Sequence, residues 1–343
     1  MTAKRKKPRI RRQLRSLEKL AHKLRKEGRY GEAEEVYNEV LNTDPRDIYA
    51  LVGLGDLKRK VKRFEEAVSC YQRCLEIDED NKYALAGLGD AYRGLKDFDN
   101  ALGAWFRYLS FEPGDHKIMT RVADALRKKG DSENSKRYYT AALEIEPYDP
   151  YALMGLGQIA MNEGDDGEAL KLFERLIEIS KESVIALTSA ANIYRKRQSF
   201  EEAIALYERA LRTDHKNCYA WHGKADCLRG MRNYPSAIRA WEMAIECGMS
   251  KRVALTRIGD AYLNMNDLYS AEASYEKAMV IGYDKYAYIG MSKVHARRTH
   301  LEKAFAILSM LGKKEPGDKR IFAESRDFIE KYPEVDKSVQ APG

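Results

Sequence analysis

The sequence has few of the residues that interrupt helices or crosslink a chain. Of 343 residues, only 9 are proline and 5 are cysteine. No segment approaches the roughly 20 apolar residues that a membrane-spanning helix requires, and no apolar segment follows the basic N-terminus as in a secretory signal. The odd set of Cys70, Cys74, Cys218, Cys227 and Cys247 lacks zinc-site spacing. We therefore expect reduced, mostly buried thiols in a cytoplasmic protein, with nuclear import as an alternative in a eukaryote.

Recognisable catalytic motifs are also missing. The six histidines are scattered along the chain, and there is no glycine-rich phosphate loop and no nucleophile paired with a base. We predict a protein that is not an enzyme and that needs no metal or cofactor.

What the sequence does have is a repeat of 34 residues. A small residue recurs at Ala33, Ala67, Ala101, Ser135, Ala169, Ala203, Ala237 and Ala271. Four residues later an aromatic recurs at Tyr37, Tyr71, Trp105, Tyr139, Phe173, Tyr207, Trp241 and Tyr275. Within each repeat the apolar positions form two helical stripes, and small residues let the two helices approach closely. So short a pair cannot bury both faces alone, and repeats must therefore stack.

This pattern resembles the tetratricopeptide repeat (TPR) family. The resemblance implies an all-α fold, a right-handed superhelical α-solenoid of about nine helix-turn-helix repeats with a C-terminal capping helix. The predicted repeats span residues 14–47, 48–81, 82–115, 116–149, 150–183, 184–217, 218–251, 252–284 and 285–318. A basic disordered tail over 1–13 precedes them. A capping helix over 319–332, in which Ile321, Phe322, Phe328 and Ile329 cover the end of the stack, and a flexible tail over 333–343 follow them.

The face of each first helix opposite the core stripe is the candidate site, because the resemblance implies that this face lines a concave peptide-binding groove. Positions are counted from the first residue of each repeat. The candidate residues, mostly at positions 2, 9 and 12, are Tyr49, Asp56, Arg59, Tyr83, Asp90, Arg93, Lys117, Arg121, Asp124, Arg127, Tyr151, Met154, Gln158, Met161, Asn192, Arg195, Tyr219, Asp226 and Arg229. Position 6 is mostly glycine, which would let a partner approach the helix backbone.

Two interpretations of this face stay open. Asp at position 9 and Arg at position 12 lie three residues apart on one helix, so they can simply pair with each other. Alternatively, tyrosines, arginines and aspartates contact a partner chain, and the positive excess on this face favours an acidic one. In that case the uncharged fifth repeat, with Tyr151, Met154 and Met161, is the expected central anchor. Lys117 and Arg121 match part of the carboxylate clamp of chaperone-binding TPR proteins, but Asp56 does not.

The excess positive charge of the chain lies at its N-terminus. Residues 1 to 15 have eight Lys or Arg and no acid, and the basic tail consists of Lys4, Arg5, Lys6, Lys7, Arg9, Arg11 and Arg12. This segment is either solvated or binds nucleic acid, a ribosome or an anionic membrane surface. We predict a non-catalytic scaffold that binds a partner protein or peptide. The alternative is a nucleic-acid- or ribosome-associated protein tethered by this tail.

Overall fold

The computed structural model describes residues 3–333, and the side chains from residue 12 onward. These residues form helices and no strand. The helices are α1 (Ala3–Lys26), α2 (Tyr30–Thr43), α3 (Ile48–Lys60), α4 (Phe64–Leu75), α5 (Lys82–Gly94), α6 (Phe98–Phe111), α7 (His116–Lys128), α8 (Ser132–Ile145), α9 (Pro150–Glu163), α10 (Asp166–Ile179), α11 (Val184–Lys196), α12 (Phe200–Thr213), α13 (Cys218–Gly230), α14 (Tyr234–Glu246), α15 (Lys251–Asn264), α16 (Leu268–Ile281), α17 (Lys285–Arg297), α18 (Leu301–Lys314) and α19 (Lys319–Lys331). The predicted all-α repeat solenoid is confirmed.

Helix starts are set by the last residue of the preceding repeat. The side chain of Asp47 accepts a hydrogen bond from the backbone N–H of Ala50, and Asn81 does the same for Ala84. Such caps satisfy N–H groups that have no partner within the helix. The two helices of a repeat are joined by a tight turn with one residue at positive φ, such as Gly130 in the fourth repeat.

The chain divides into two compact units, residues 1–172 and 173–343, with the boundary inside α10. Within the first unit, the recurring residues Ala101 and Trp105 are buried, together with Leu85 and Leu88 of the same repeat. Within the second, Trp241 and its neighbours form the equivalent core. The periodic apolar positions therefore pack the repeats together.

The aromatic ring at position 24 is held between two first helices. The Tyr71 ring lies against Gly55 of its own repeat and Gly87 of the next. A Cβ atom built on Gly87 would lie 2.4 Å from Cζ of Tyr71, so any larger side chain would displace the ring. The same contact joins Tyr139 to Gly155 in the first unit. Within the second unit, Tyr207–Gly223 and Tyr275–Gly290 repeat it.

Two charged residues at core positions are explained by ion pairs. Lys58 lies where a large apolar residue is usual in this repeat, and it is buried. Its ammonium group pairs with Glu34 and lies 2.7 Å from Glu66. Lys224 likewise pairs with Glu208 at 2.8 Å. The buried Lys58 and the half-buried Lys224 thus each have a carboxylate partner.

The chain ends differ from the prediction. Helix α1 begins at Ala3 and therefore includes residues 3–13, which the sequence assigns to a basic tail. In α19, Ile321 and Phe328 are buried as predicted, but Phe322 is 70% exposed. Adjacent helix residues point about 100° apart, so Ile321 and Phe322 cannot both face the stack. The predicted flexible tail lies outside the described residues, except for Pro333.

We predict that Gly87→Ala destabilises the protein by about 1–3 kcal/mol, because the new methyl group overpacks the buried Tyr71 ring. Gly103→Ala is the matched control, since a Cβ at this exposed position in α6 meets no atom within 4 Å. That variant should gain about 0.5–1 kcal/mol from helix propensity. Chemical unfolding followed by circular dichroism measures both effects. A Gly87→Ala variant as stable as Gly103→Ala would contradict the packing described.

Candidate polypeptide-binding face

Tyrosines at position 2 of the first helices point into solvent. Tyr49, Tyr83 and Tyr151 of the first unit are 73%, 68% and 76% exposed, and Tyr219 of the second is 80% exposed. Tyr286 in the ninth repeat is 56% exposed. Large aromatic side chains usually bury more of their surface than this. These residues are therefore available for contact with another molecule.

The charged side chains of the same helices are paired with one another. Oδ2 of Asp56 accepts a hydrogen bond at 2.8 Å from Arg25 of the preceding repeat. Its Oδ1 accepts one at 2.8 Å from the hydroxyl of Tyr71 and lies 3.4 Å from Arg59 of its own helix. Asp56 thus links position 12 of one repeat to positions 12 and 24 of the next.

Asp90 is the most heavily engaged acid of the first unit. Its buried carboxylate lies 3.0 Å from Arg59 in the preceding repeat, 3.1 Å from Arg93 on its own helix and 3.0 Å from Arg121 in the following repeat. One carboxylate therefore joins three consecutive repeats. Asp90, Arg59 and Arg93 line a cleft of about 650 Å³, together with Arg25 and Asp56.

The acid at position 9 of the fourth repeat is paired only within its own helix. Asp124 lies 2.7 Å from Arg127 and 3.0 Å from Lys128. Burial acts to raise the pKa of Asp124, but the two cations outweigh it and lower the pKa below its usual value. In the fifth repeat the ionic series stops, because Gln158 and Met161 replace Asp and Arg. Those two residues and Met154 are half-buried on α9.

The second unit repeats the arrangement. The Tyr207 hydroxyl donates to Oδ1 of Asn192 at 2.7 Å, so the asparagine replaces aspartate as acceptor. Asp226 lies 3.2 Å from Arg195 of the preceding repeat and 3.6 Å from Arg229 of its own helix. His222 also faces Asp226, at 3.7 Å. Burial lowers the pKa of His222, and the nearby arginines act in the same direction.

These contacts bear on the first interpretation of the ionic residues, that they pair with one another. The pairing three residues apart occurs, as in Arg93 with Asp90. The pairing 31 residues apart, as in Arg59 with Asp90, was not anticipated. Most of the arginines and aspartates considered for partner binding are therefore engaged inside the chain. Lys117 differs from them, because it is exposed and has no ion pair among the described residues.

The expectation that glycines at position 6 expose the backbone to a partner is wrong. The space beside Gly53, Gly87, Gly155, Gly223 and Gly290 is filled by a tyrosine ring from the preceding repeat. In each case the atoms nearest to a built Cβ are ring or hydroxyl atoms of that tyrosine. Position 6 therefore serves packing between repeats.

Of the basic tail residues, the structure describes the side chain of one. Arg12 is exposed on α1, whereas the side chains of Lys4, Arg5, Lys6, Lys7, Arg9 and Arg11 lie outside the described part of the chain. The five cysteines are free thiols. Burial raises the pKa of Cys74 and Cys227 to about 11, so these two thiols are protonated and inert at neutral pH.

Over the described part of the chain, no three His, Cys, Asp or Glu side chains converge as a metal site requires. No helix within residues 3–333 combines the length and apolar character needed to cross a membrane. The sequence reasoning missed a group of basic residues in the last repeats, formed by Arg257, Lys293, Arg297 and Arg320 around Asp260. Arg257 at position 6 of the eighth repeat and Lys293 at position 9 of the ninth repeat could have indicated this group from the sequence.

Comparisons with known proteins agree with the repeat described. Models of the tetratricopeptide repeat match residues 52–115 and 121–184, residues 186–217, and residues 14–47 and 253–279, which together exceed half of the chain. A search of the curated proteins finds no match.

Solved structures share the fold at low sequence identity. The C-terminal part of a TPR repeat-containing protein from Cytophaga hutchinsonii has a TM-score of 0.60 and 17% identity, over 70% of this chain and 98% of that one. A tetratricopeptide repeat protein from Parabacteroides merdae has a TM-score of 0.53 and 17% identity, over 71% of this chain and 97% of that one. The APC/C hetero-tetramer Cut9–Hcn1 has a TM-score of 0.53 and 16% identity, over 70% of this chain and 48% of that one. These likenesses concern the fold alone.

We predict that Tyr71→Phe destabilises the protein by about 0.5–1.5 kcal/mol, because it removes a buried hydrogen bond to Asp56 while keeping the ring. Tyr49→Phe removes a hydroxyl from an exposed ring of the same repeat and should leave stability unchanged. Urea unfolding of both variants measures the difference. Equal effects of the two substitutions would contradict the division into packed and free tyrosines.

Proposed function

The chain belongs to the tetratricopeptide repeat family, and on that premise we propose that it is a non-catalytic scaffold that binds a partner polypeptide. The contact face consists of the exposed tyrosines at position 2 of the first helices. One observation carries this proposal. The ionic residues of these helices are mostly paired within the chain, whereas the position-2 tyrosines are left open to solvent.

Tyrosine suits this task physically. Its ring supplies a large contact area with little loss of side-chain entropy, and its hydroxyl can donate or accept a hydrogen bond. The rigid network of Asp, Arg and buried Tyr beneath would hold the exposed rings in fixed positions. Preorganisation of this kind lowers the entropic cost of binding.

The fifth repeat, whose first helix α9 is the last one in the first unit, is our candidate for the apolar part of that unit's contact. Its α9 presents Tyr151 beside the half-buried Met154 and Met161, with no charged residue among them. Methionine adapts its shape to a partner at low cost. An uncharged patch next to the charged fourth repeat matches the usual composition of a protein interface, with an apolar core and a polar rim.

We predict that a photoreactive benzoylphenylalanine at Tyr219 crosslinks to a partner polypeptide in the native cells, whereas the same residue at Tyr269 does not. The two tyrosines are equally exposed, at 80%, and both lie in the second unit. Tyr219 is on α13, a first helix, and Tyr269 is on α16, a second helix. Mass spectrometry of purified adducts gives the answer.

Because exposure is matched, random collisions should label both positions alike. Specific adducts at Tyr219 alone support the proposed face. Adducts at both positions in equal yield, or at Tyr269 alone, would contradict it.

The alternative function, association with nucleic acid or ribosomes through the N-terminal segment, is favoured by one observation. Helix α1 extends from Ala3 and ends with Lys23, Arg25 and Lys26, so the basic segment continues a helix with further cations. For this alternative we predict that deleting residues 1–13 abolishes retention on immobilised RNA, and that wild-type retention falls steeply with salt. Retention that survives the deletion would exclude tethering by this segment.

A further inference from the structure

A basic pocket lies in the second unit, between the first helices α13, α15 and α17 of the last three repeats and the C-terminal helix α19. It has a volume of about 600 Å³, within the range of about 300–1,000 Å³ typical of ligand sites. Its charged lining consists of Arg229, Arg257, Asp260, Lys293, Arg297 and Arg320. We call it the C-terminal basic pocket. The exposed Tyr286 also lines it, so the pocket adjoins the proposed contact face.

Among the described residues, one cation of this pocket lacks both a hydrogen bond and an ion pair. Arg257 is exposed, and within the described residues it forms no hydrogen bond and no ion pair. Arg121 occupies the same position 6 in the fourth repeat, and there it pairs with Asp90 at 3.0 Å. The acid that corresponds to Asp90 is Asp226. It pairs with Arg195 and Arg229 and faces His222, but among the described residues no ion pair joins it to Arg257.

The other cations share too few acids. Lys293 and Arg320 both lie 2.8 Å from the single carboxylate of Glu324. Arg297 donates hydrogen bonds to the backbone carbonyl of Leu263 and to the side-chain oxygen of Asn266, neither of which carries a charge. The pocket therefore has an excess of positive charge that the chain does not neutralise.

The pocket also contains acceptors, which indicates the kind of ligand. Oδ1 of Asp260 accepts a hydrogen bond from Tyr275 at 2.8 Å, and its second oxygen has no hydrogen bond among the described residues. A peptide can satisfy such an oxygen with a backbone N–H while its acidic side chains meet the arginines. A phosphodiester backbone has only acceptors to offer. The mixture favours an acidic peptide over a nucleic acid.

We propose that the C-terminal basic pocket binds consecutive Asp or Glu side chains of the partner polypeptide. The inference rests on the proposed function and makes it more specific. The acidic segment would bind at the last repeats, where the cations outnumber the acids that pair with them, and not along the earlier helices, where arginine and aspartate neutralise each other.

The test uses the full chain and a fluorescein-labelled oligoglutamate peptide, with binding measured by fluorescence anisotropy at low salt. We expect Arg257→Glu to weaken binding by about tenfold, because it reverses an unpaired charge in the pocket. Lys277→Glu is the matched control. It makes the same charge change at an exposed residue of the same repeat, on the second helix α16, and should leave affinity unchanged within about twofold.

An equal loss in both variants would overturn the pocket, as would failure of the wild-type protein to bind oligoglutamate. Tighter binding of an oligothymidylate of matched charge, sensitive to Arg257→Glu, would assign the pocket to nucleic acid and also overturn the proposal. Crosslinking at Tyr219 distinguishes failure of the pocket assignment from failure of the scaffold function. If it persists while oligoglutamate fails to bind, the scaffold function stands and the pocket assignment falls.

Discussion

The structure depends on one contact, the tyrosine ring held between the first helices of two successive repeats. Tyr71 shows what this contact demands. Its ring needs glycine on both sides, at Gly55 and Gly87, and its buried hydroxyl needs an acceptor, which Asp56 supplies. The carboxylate in turn needs cations, and Arg25 and Arg59 supply them. The packing of one ring therefore specifies residues in three repeats.

This chain of requirements explains why the candidate face has two kinds of residue. The ionic residues at positions 9 and 12 complete the contacts between repeats, and the position-2 tyrosines take no part in them. The ionic series changes at Gln158 in the first unit and at Leu263, position 12 of the eighth repeat, in the second, and in that repeat Arg257 has no ion pair among the described residues. Such positions leave groups available for other molecules. Function in this fold is thus expected at the exposed rings and at the breaks in the series.

The sequence was sufficient to predict the helices and the core, because the apolar and small residues that pack the helices recur every 34 residues. Pairing three residues apart was also readable from one helix, as for Asp90 with Arg93. Pairing between repeats, as for Arg59 with Asp90, was not, since it depends on the spacing of two first helices in space. For the same reason the role of the glycine at position 6 was predicted wrongly. The signal was present in the sequence: wherever position 24 of one repeat is tyrosine, position 6 of the next repeat is glycine, and where position 24 is tryptophan it is not.

The central claim is that arginine and aspartate side chains join consecutive repeats rather than serve a partner. A double-mutant cycle on Arg59→Gln and Asp90→Asn, measured by chemical unfolding, tests it most directly. The two residues belong to different repeats and lie 3.0 Å apart. The account predicts a coupling free energy of about 1–3 kcal/mol. Additive effects of the two substitutions, within about 0.3 kcal/mol, would contradict it.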